Sequence, residues 1–253
     1  MRRTISVMTM AIAAVVAAAT VAAAQETSPS NESPSSDHLS VVGRVGLGYF
    51  GFQRIPFARF EGTAQGVALD PADDLIAPTL GFRYWVNPSL GVEAGMALQF
   101  SSGQKEVAID RTISDTNDPS TWGVGLHAGL PLALSYSRHY KFLVIPEVNF
   151  AVAGGSVNDK NLNPSMSGML FEMGARAGAE VHFGFIGIPE LSLQGTIGLH
   201  MRYASASIET TTDNPGDDDI VTKVSSHNLG LTTSIQDEPW DIFTGNISAI
   251  YYF

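Results

Sequence analysis

The strongest constraint on the fold of this sequence is a two-residue alternation of apolar with small or polar side chains, repeated in short segments along the chain. In residues 171–183, Glu172, Arg176, Glu180 and His182 lie on one parity and only apolar residues on the other. Successive side chains of a strand point to opposite faces, so each segment is predicted to be a strand with one apolar face. The pattern recurs in residues 41–50, 75–86, 90–100, 122–134, 142–152, 191–203 and 243–253. The chain is therefore predicted to be all-β, with about eight strands.

The distribution of charge indicates what each face contacts. Charged residues make up only 15% of the chain, against about 25% in soluble domains. The apolar face of the segments carries no charge, whereas the other face carries one or two ionisable groups in most segments. A soluble barrel would place its charged residues outside. An apolar exterior in lipid and a polar, side-chain-filled lumen describe a transmembrane β-barrel.

The N-terminus has the features of an export signal. Arg2 and Arg3 precede a largely apolar run over residues 5–21, which ends in Ala22-Ala23-Ala24. Residues 1–24 are therefore predicted to be a cleaved signal peptide rather than a retained anchor. Residues 25–38 are rich in Ser and Pro and are predicted to be a flexible periplasmic leader. The barrel is assigned to residues 39–253, which contain no apolar run of the roughly 18 residues that a membrane helix requires.

Connections between the predicted strands alternate in length. Short ones fall at residues 87–89, 136–141 and 184–189, and long ones at 52–74, 101–121, 154–167 and 204–238. This predicts an up-and-down antiparallel barrel with short periplasmic turns and long extracellular loops. Weak alternation in residues 229–235 is interpreted as a loop or an extension of a neighbouring strand. Ten strands is the alternative to eight, because bacterial barrels have even strand numbers.

Aromatic residues collect near the predicted strand ends, as interfacial girdles require. They are Tyr49, Phe100, Trp122 and Tyr203 on the loop side, and Tyr84, Trp85, Phe183, Tyr251 and Phe253 on the turn side.

Two bulk properties exclude classes of function. The chain has no cysteine, which excludes disulfides, thiolate metal sites, a cysteine nucleophile and a lipid-anchored cysteine. Its net charge is −11, which argues against nucleic acid as a partner.

The C-terminal aromatic pattern carries a resemblance to a known family. Ile247, Tyr251 and Phe253 share one apolar face, and this arrangement resembles the C-terminal signal that the barrel-assembly machinery reads. Residues 39–253 as a whole resemble the eight-stranded outer-membrane barrels of OmpA type and OmpX type. The resemblance implies location in the outer membrane of a Gram-negative envelope, with outer-membrane lipid, lipopolysaccharide and the assembly machinery as partners.

Ionisable residues on the inward faces are the main candidate site. Isolated charges in a lumen would be very costly, so these residues are expected to pair. An eight-stranded lumen is about wide enough only for side chains, which favours a hydrogen-bonded plug over a gated polar path or a proton-linked site. The predicted lumen network consists of Arg44, Arg83, Glu93, His127, Glu147, Glu172, Arg176, Glu180, His182, His200 and Arg202.

Enzyme activity is a weaker alternative. A lipid A-modifying enzyme would need a nucleophile and a base near the outer leaflet. The candidates are Ser205, Ser207 and Ser226 with His200 or His227. The Gly-x-Ser-x-Gly nucleophile elbow does not occur in the sequence, so no catalytic residue is predicted.

Acidic loop residues are a weaker candidate for metal binding. Residues 213–219 are rich in Asp but lack the spacing and final Glu of an EF-hand loop. Asp70, Asp73 and Asp74 form a second acidic group. Both are interpreted as solvated loops, with ions that bridge them to lipopolysaccharide phosphates as the alternative. No metal and no cofactor are therefore predicted.

The leading functional hypothesis is a non-enzymatic outer-membrane barrel with a filled lumen, which stabilises the membrane or presents its loops to a surface ligand. Transport of small hydrophobic solutes, as in OmpW-like barrels, is the alternative. A lumen closed by Arg and Glu pairs would count against transport.

Overall fold

The computed structural model describes residues 36–63, 66–102, 104–109, 112–117, 120–156, 162–212, 220–235 and 246–253. The predicted signal peptide, leader residues 25–35, the acidic run 213–219 and Phe243 lie outside the described residues. The side chains of Asp70 and Asp73 also lie outside the described part.

Strands form almost all of the described chain. One short helix, α1 (Asp37–Val41), precedes them, and a 3-10 turn covers Gly184–Ile186. No described helix is long and apolar enough to cross a membrane. The strands are β1 (Val45–Thr63), β2 (Gly66–Trp85), β3 (Gly91–Ser101), β4 (Gln104–Ile109), β5 (Thr112–Asn117), β6 (Ser120–Gly129), β7 (Leu132–Tyr136), β8 (Tyr140–Ser156), β9 (Leu162–Phe183), β10 (Ile188–Thr212), β11 (Ile220–Thr233) and β12 (Ile247–Tyr252).

Eight of these strands close a barrel. The ring is β1, β2, β3, β6, β8, β9, β10 and β12, each antiparallel to the next, and β12 pairs with β1. Of the others, β4 and β5 form a separate hairpin, β7 pairs with β8, and β11 pairs with β10. The ring follows chain order, which confirms the predicted all-β up-and-down barrel of eight strands.

The two faces of the strands are separated as the alternation predicts. In β2, Phe82 is 45% exposed, whereas its neighbour Arg83 is fully buried. Exposed apolar side chains continue around the outside of the ring. We call this set the apolar belt; it includes Val45, Leu47, Phe52, Ile76, Leu80, Phe82, Met96, Leu98, Leu126, Phe142, Phe150, Leu193, Ile197 and Leu199.

The barrel has two different ends. At the turn end, strands are joined by short connections such as residues 87–89. At the opposite end, which we call the hairpin end, paired strands extend well past the predicted boundaries. The β1–β2 ladder runs to Thr63↔Gly66 and the β9–β10 ladder to Leu162↔Thr212. The prediction of long loops at residues 52–74, 154–167 and 204–238 is therefore wrong in large part, because backbone pairing continues where apolar alternation ends.

Strand β1 turns into the barrel at its midpoint. Gly51 has φ 92°, a conformation that L side chains rarely adopt, and a register shift separates Tyr49 from Phe52. Beyond it, Ile55 and Phe57 are buried. A Cβ at Gly168 of β9 would collide with the carbonyl oxygen of Pro56. The hairpin-end core that results contains Ile55, Phe57, Ala77, Ala97, Ala151, Ala153, Met166, Leu170, Ala206 and Ile208.

Several predicted orientations are wrong where the strands are irregular. Val41 was expected to face outward from a strand but is buried in α1. Leu132 is buried because β6 ends at Gly129 and a separate strand, β7, begins at Leu132. The alternation of β6 therefore does not continue to Leu132. Trp85 was expected in an interfacial girdle, yet its side chain is buried inside the barrel.

Helix α1 lies at the turn end. His38 and Val41 are buried, and the Ser36 hydroxyl donates a hydrogen bond to the Ser137 carbonyl at 2.6 Å. Residues 36–38, which were predicted to belong to the flexible leader, are therefore packed against the barrel.

Candidate functional site

A layer of buried ion pairs crosses the lumen near the turn end. Arg83 of β2 donates from Nε to Glu93 Oε2 at 2.8 Å and from Nη1 to Glu180 Oε2 at 2.8 Å, and Nη2 also contacts Glu93. Lys141 Nζ lies 3.1 Å from Glu180 Oε1. All four side chains are 0% exposed. We call these four residues the ion-pair layer.

A second group of charges lies next to the ion-pair layer. Arg176 Nη2 donates to Glu93 Oε1 at 3.0 Å, and its Nε donates to Glu147. His200 Nε2 lies 2.8 Å from Glu147 Oε1, and His127 Nε2 lies 3.1 Å from Glu93 Oε1. Buried charges are tolerated when every lone pair and proton has a partner. Glu93, which accepts from both Arg83 and Arg176, links the two groups into one network.

Lys141 has three acceptors for its three protons. Besides Glu180, Nζ lies 3.1 Å from His38 Nδ1 and 3.3 Å from His182 Nε2. The ammonium also lies 4.2 Å from the centre of the Trp85 ring, a cation–π arrangement. Lys141 therefore joins α1 and three barrel strands.

The protonation of His38 follows from its neighbours. Its Nε2 lies 2.8 Å from the Pro88 carbonyl oxygen, which can only accept, so this nitrogen carries the proton. Its Nδ1 then accepts from Lys141. Burial, reinforced by the Lys141 ammonium, lowers the pKa of His38 to about 4. The Asp37 side chain is also paired, since His139 Nδ1 lies 2.7 Å from Asp37 Oδ2. Together with the Ser36–Ser137 and His38–Pro88 hydrogen bonds, this contact holds α1 at the turn end.

A cavity lies on the hairpin side of the network. Its volume is about 330 Å³. Arg202 lines it, with Nη2 donating to the Arg54 carbonyl at 3.0 Å and to Asp74 Oδ1 at 3.5 Å. Arg202 Nε lies 3.4 Å from Glu172 Oε1. The residues that line the cavity are Phe50, Phe52, Gln53, Arg54, Ile76, Thr79, His127, Glu147, Asn149, Glu172, Arg176, His200, Arg202, Thr232, Thr233, Ser234 and Asn246.

The structure places every predicted network residue in the barrel interior except Arg44. The Arg44 side chain is 44% exposed and pairs with Glu190 at 3.6 Å. It lies outside the lumen because Gly43, with φ 80°, and α1 precede it, so the alternation of β1 does not extend back to this position.

Several polar or aromatic residues of the described interior were not predicted as site residues, among them Lys141, Gln53, His38 and Tyr252. Lys141 could have been found, since the inward parity of Leu143 and Ile145 extends back to it. Gln53 is inward because the irregularity at Gly51 changes the parity of β1. Tyr252 could also have been found, because it alternates with the outward-facing Tyr251 and Phe253. For His38 the sequence gives no spacing signal.

The serine and histidine candidates for catalysis do not form a nucleophile–base pair. Ser207 Oγ lies 2.8 Å from Ser167 Oγ, and His227 Nδ1 lies 3.3 Å from the Tyr203 hydroxyl. His200 contacts Glu147. Ser205 lies opposite His227 in the β10–β11 ladder, but among the described residues no side-chain hydrogen bond joins Ser205, Ser207 or Ser226 to either histidine.

Among the residues that the structure describes, one group of potential metal ligands lies in the network. Glu93, His127 and Glu147 each offer a ligand atom, and these atoms lie within 4.8 Å of one another. Arg176 already donates to both carboxylates, so a guanidinium supplies the positive charge that a cation would bring. Asp74, the described member of the acidic loop candidates, pairs with Arg202.

The C-terminal aromatic residues face outward. Tyr251 and Phe253 are exposed, and their rings lie 5.0 Å apart. Ile247, at the start of β12, has the same parity. Their interpretation as an assembly signal stays a prediction.

Three comparisons relate this chain to family models, curated proteins and solved structures. No family model matches it, and no curated protein matches it. Among solved structures, it is similar to the outer membrane protease OmpT from Escherichia coli, with 8% identity and a TM-score of 0.40, over 83% of this chain and 97% of that chain. Pseudomonas aeruginosa OccK2 (OpdF) matches at 8% identity and a TM-score of 0.14, over 83% of this chain and 96% of that chain. The function of this chain therefore rests on its own geometry.

Proposed function

We propose that this protein is an outer-membrane β-barrel with a closed lumen, which serves as a structural or surface-interacting element and forms no continuous pore. The ion-pair layer carries this proposal. Arg83, Glu93, Lys141 and Glu180 are fully buried and bonded to one another across the lumen. A solute that passed would have to break these pairs, and leaving one partner of a buried pair alone costs about 3–5 kcal/mol.

The apolar belt supports the membrane location. Soluble monomers rarely expose contiguous apolar patches larger than a few hundred Å², whereas the belt surrounds the ring of strands. A closed barrel leaves few unpaired backbone groups in its wall, which is the condition for crossing hydrocarbon with strands. Lipid and lipopolysaccharide are the expected partners of the belt, and the assembly machinery is the expected partner of Tyr251 and Phe253. The proposal involves no cofactor, no nucleic acid and no catalytic step.

Passage of small hydrophobic solutes is the competing function. The cavity beside Arg202 gives it a possible entry point, because it is about 330 Å³ in volume. An exit at the turn end would require displacement of both the ion-pair layer and α1. The closed barrel is therefore the function that the geometry supports best.

Conductance in planar lipid bilayers tests the proposal. The mature protein, refolded into detergent, should migrate differently on gels before and after boiling, and should insert without producing stable conductance steps. A general porin in the same bilayers is the positive control. Stable steps from the natural chain would contradict the closed lumen. A mature protein that stays monomeric and folded in buffer without detergent would contradict the membrane location.

A further inference from the structure

The hairpin-end part of the β1–β2 pair folds into the barrel as a separate unit. Beyond Gly51, β1 forms a ladder with β2 alone within the described chain, because its pairing with β12 ends at Tyr49. Strand β2 likewise leaves β3 at Thr79, where their ladder ends. We call residues 52–57 of β1 and 74–78 of β2 the lid.

The lid crosses the lumen and packs against walls that belong to distant strands of the ring. Ile55 and Phe57 are buried, and a Cβ at Gly123 of β6 would lie 3.0 Å from Ile55 Cδ1. A Cβ at Gly155 of β8, the strand opposite β1 in the ring, would lie 2.9 Å from Phe57 Cζ. These glycines therefore leave the space that the lid occupies.

The lid forms one side of the cavity beside Arg202. Arg176 and His200 of the charge network also line this cavity, so it lies between the lid and the network. A lid that moved outward would uncover this side of the cavity. The lining residues that belong to the lid are Phe52, Gln53, Arg54 and Ile76.

Two polar side chains connect the lid to the wall. Arg202 of β10 donates from Nη2 to the Arg54 carbonyl at 3.0 Å and to Asp74 Oδ1 at 3.5 Å. One guanidinium therefore contacts both strands of the lid. From the lid itself, Gln53 Nε2 donates to the Leu126 carbonyl of β6 at 3.1 Å.

Gly51 has the features of a hinge. Its φ of 92° is a conformation that L side chains rarely adopt, and a register shift separates Tyr49 from Phe52. Hinges are a few residues that absorb changes in the backbone angles between two rigid parts. The lid can turn at this point without losing its own backbone hydrogen bonds, because the ladder from Phe52↔Pro78 onward joins only β1 and β2.

We propose that the lid turns outward about Gly51 as a unit while the ring of eight strands stays closed, and that Arg202 holds the lid in the closed position. Opening breaks only the contacts between the lid and the walls, so it requires less free energy than unfolding of the whole barrel. The ion-pair layer is not disturbed, and opening therefore exposes a blind cavity rather than a pore. The proposal concerns contacts inside the barrel and does not depend on the membrane role proposed above.

Labelling of single cysteines tests the lid, because the chain contains no cysteine of its own. Ile55→Cys places a thiol on the buried side of the lid, and Leu143→Cys places one on β8, two residues from Lys141 of the ion-pair layer. Ile55 is 0% and Leu143 is 1% exposed in the natural chain. In the refolded mature protein, a charged maleimide should label Ile55→Cys at least about tenfold faster than Leu143→Cys. Equal rates would show that the lid opens only when the barrel unfolds, and would overturn the proposal.

Arg202→Gln supplies the second measurement. It should raise the labelling rate of Ile55→Cys about tenfold or more and leave that of Leu143→Cys unchanged. Lys223→Gln, which removes an exposed cation paired with Glu209, should change neither rate. An unchanged rate at Ile55→Cys, or equal increases at both positions, would overturn the role of Arg202 in holding the lid.

Leu170→Cys tests the same interface from the side of the wall, for the case in which Ile55→Cys does not show the gel mobility of the folded barrel. Leu170 of β9 is 1% exposed and belongs to the hairpin-end core together with Ile55. A lid that opens uncovers this thiol as well, so Leu170→Cys should also be labelled at least about tenfold faster than Leu143→Cys. Labelling of Leu170→Cys at the rate of Leu143→Cys would contradict the proposed movement.

Discussion

Replacing Arg83 with Gln tests whether the ion-pair layer stabilises the barrel. Arg83 is the only residue of the layer that bonds both Glu93 and Glu180. Its loss leaves Glu93 with Arg176 and His127, and leaves Glu180 with Lys141. The variant should fold to the same barrel with a lower free energy of unfolding.

The size of the loss follows from the burial of the pair. Breaking a buried pair by removal of one partner costs about 3–5 kcal/mol. Because Glu93 and Glu180 each keep another cation, we expect Arg83→Gln to lower the free energy of unfolding by about 3 kcal/mol. In the double variant Arg83→Gln/Glu93→Gln one charge of each sign is removed. Its loss should therefore be smaller than the sum of the two single losses by at least about 1 kcal/mol.

Urea unfolding in detergent micelles, followed by gel mobility and tryptophan fluorescence, measures these values. Arg44→Gln is the matched control, since Arg44 forms an exposed pair with Glu190 at 3.6 Å, and exposed pairs contribute about 0–1 kcal/mol. If Arg83→Gln lost no more stability than Arg44→Gln, or if the single losses were additive, the layer would not be the coupled network that its distances indicate.

Two further predictions concern α1 and the hairpin-end core. Because burial lowers the pKa of His38 from 6.5 to about 4, docking of α1 should weaken as pH falls below about 6.5, by up to about 3 kcal/mol below pH 4. Hydrogen exchange of residues 36–44 at pH 7 and pH 4.5 measures this loss. Equal protection at the two pH values, after correction for intrinsic rates, would contradict the prediction. Gly168→Ala should lower the free energy of unfolding by about 1–3 kcal/mol, because the new Cβ meets the Pro56 carbonyl. Gly195→Ala, with open space around its Cβ, should change it by less than about 1 kcal/mol, and equal losses in urea titrations would show that β1 does not pack inside the barrel.

Alternation predicted side-chain directions well wherever a strand pairs regularly on both edges. In β9 and β10, Glu180, His182 and Gln194 are buried inside the barrel as expected, because the β9–β10 ladder runs without a shift from Ser192 to Thr212. Side chains of such a strand alternate between the two faces, so the direction of one side chain determines the direction of all the others.

Prediction failed at the end of the first predicted strand, because residues 52–74 were expected to be a loop and instead continue β1 and β2. The turn at Gly51 sends Ile55 and Phe57 of this continuation inward, and glycine in a strand does not reveal from sequence alone whether it marks a bulge. The packing of α1 could not be predicted either, because five helical residues next to a Ser- and Pro-rich segment carry no periodic signal. The partners of Lys141 are distant in sequence, since His182 is 41 positions away and His38 is 103 positions away. A single sequence does not indicate such contacts.

The long sequence separations within the charge network affect how the barrel can close. Arg83 and Glu180 are 97 positions apart, and Arg176 and Glu93 are 83 apart, so these contacts form only when distant strands meet in one alignment. Slipping a strand by one residue would turn its charges toward hydrocarbon, at a cost of several kcal/mol for each. The pairs that close the lumen would in this way also penalise misaligned barrels and favour a single shear during insertion.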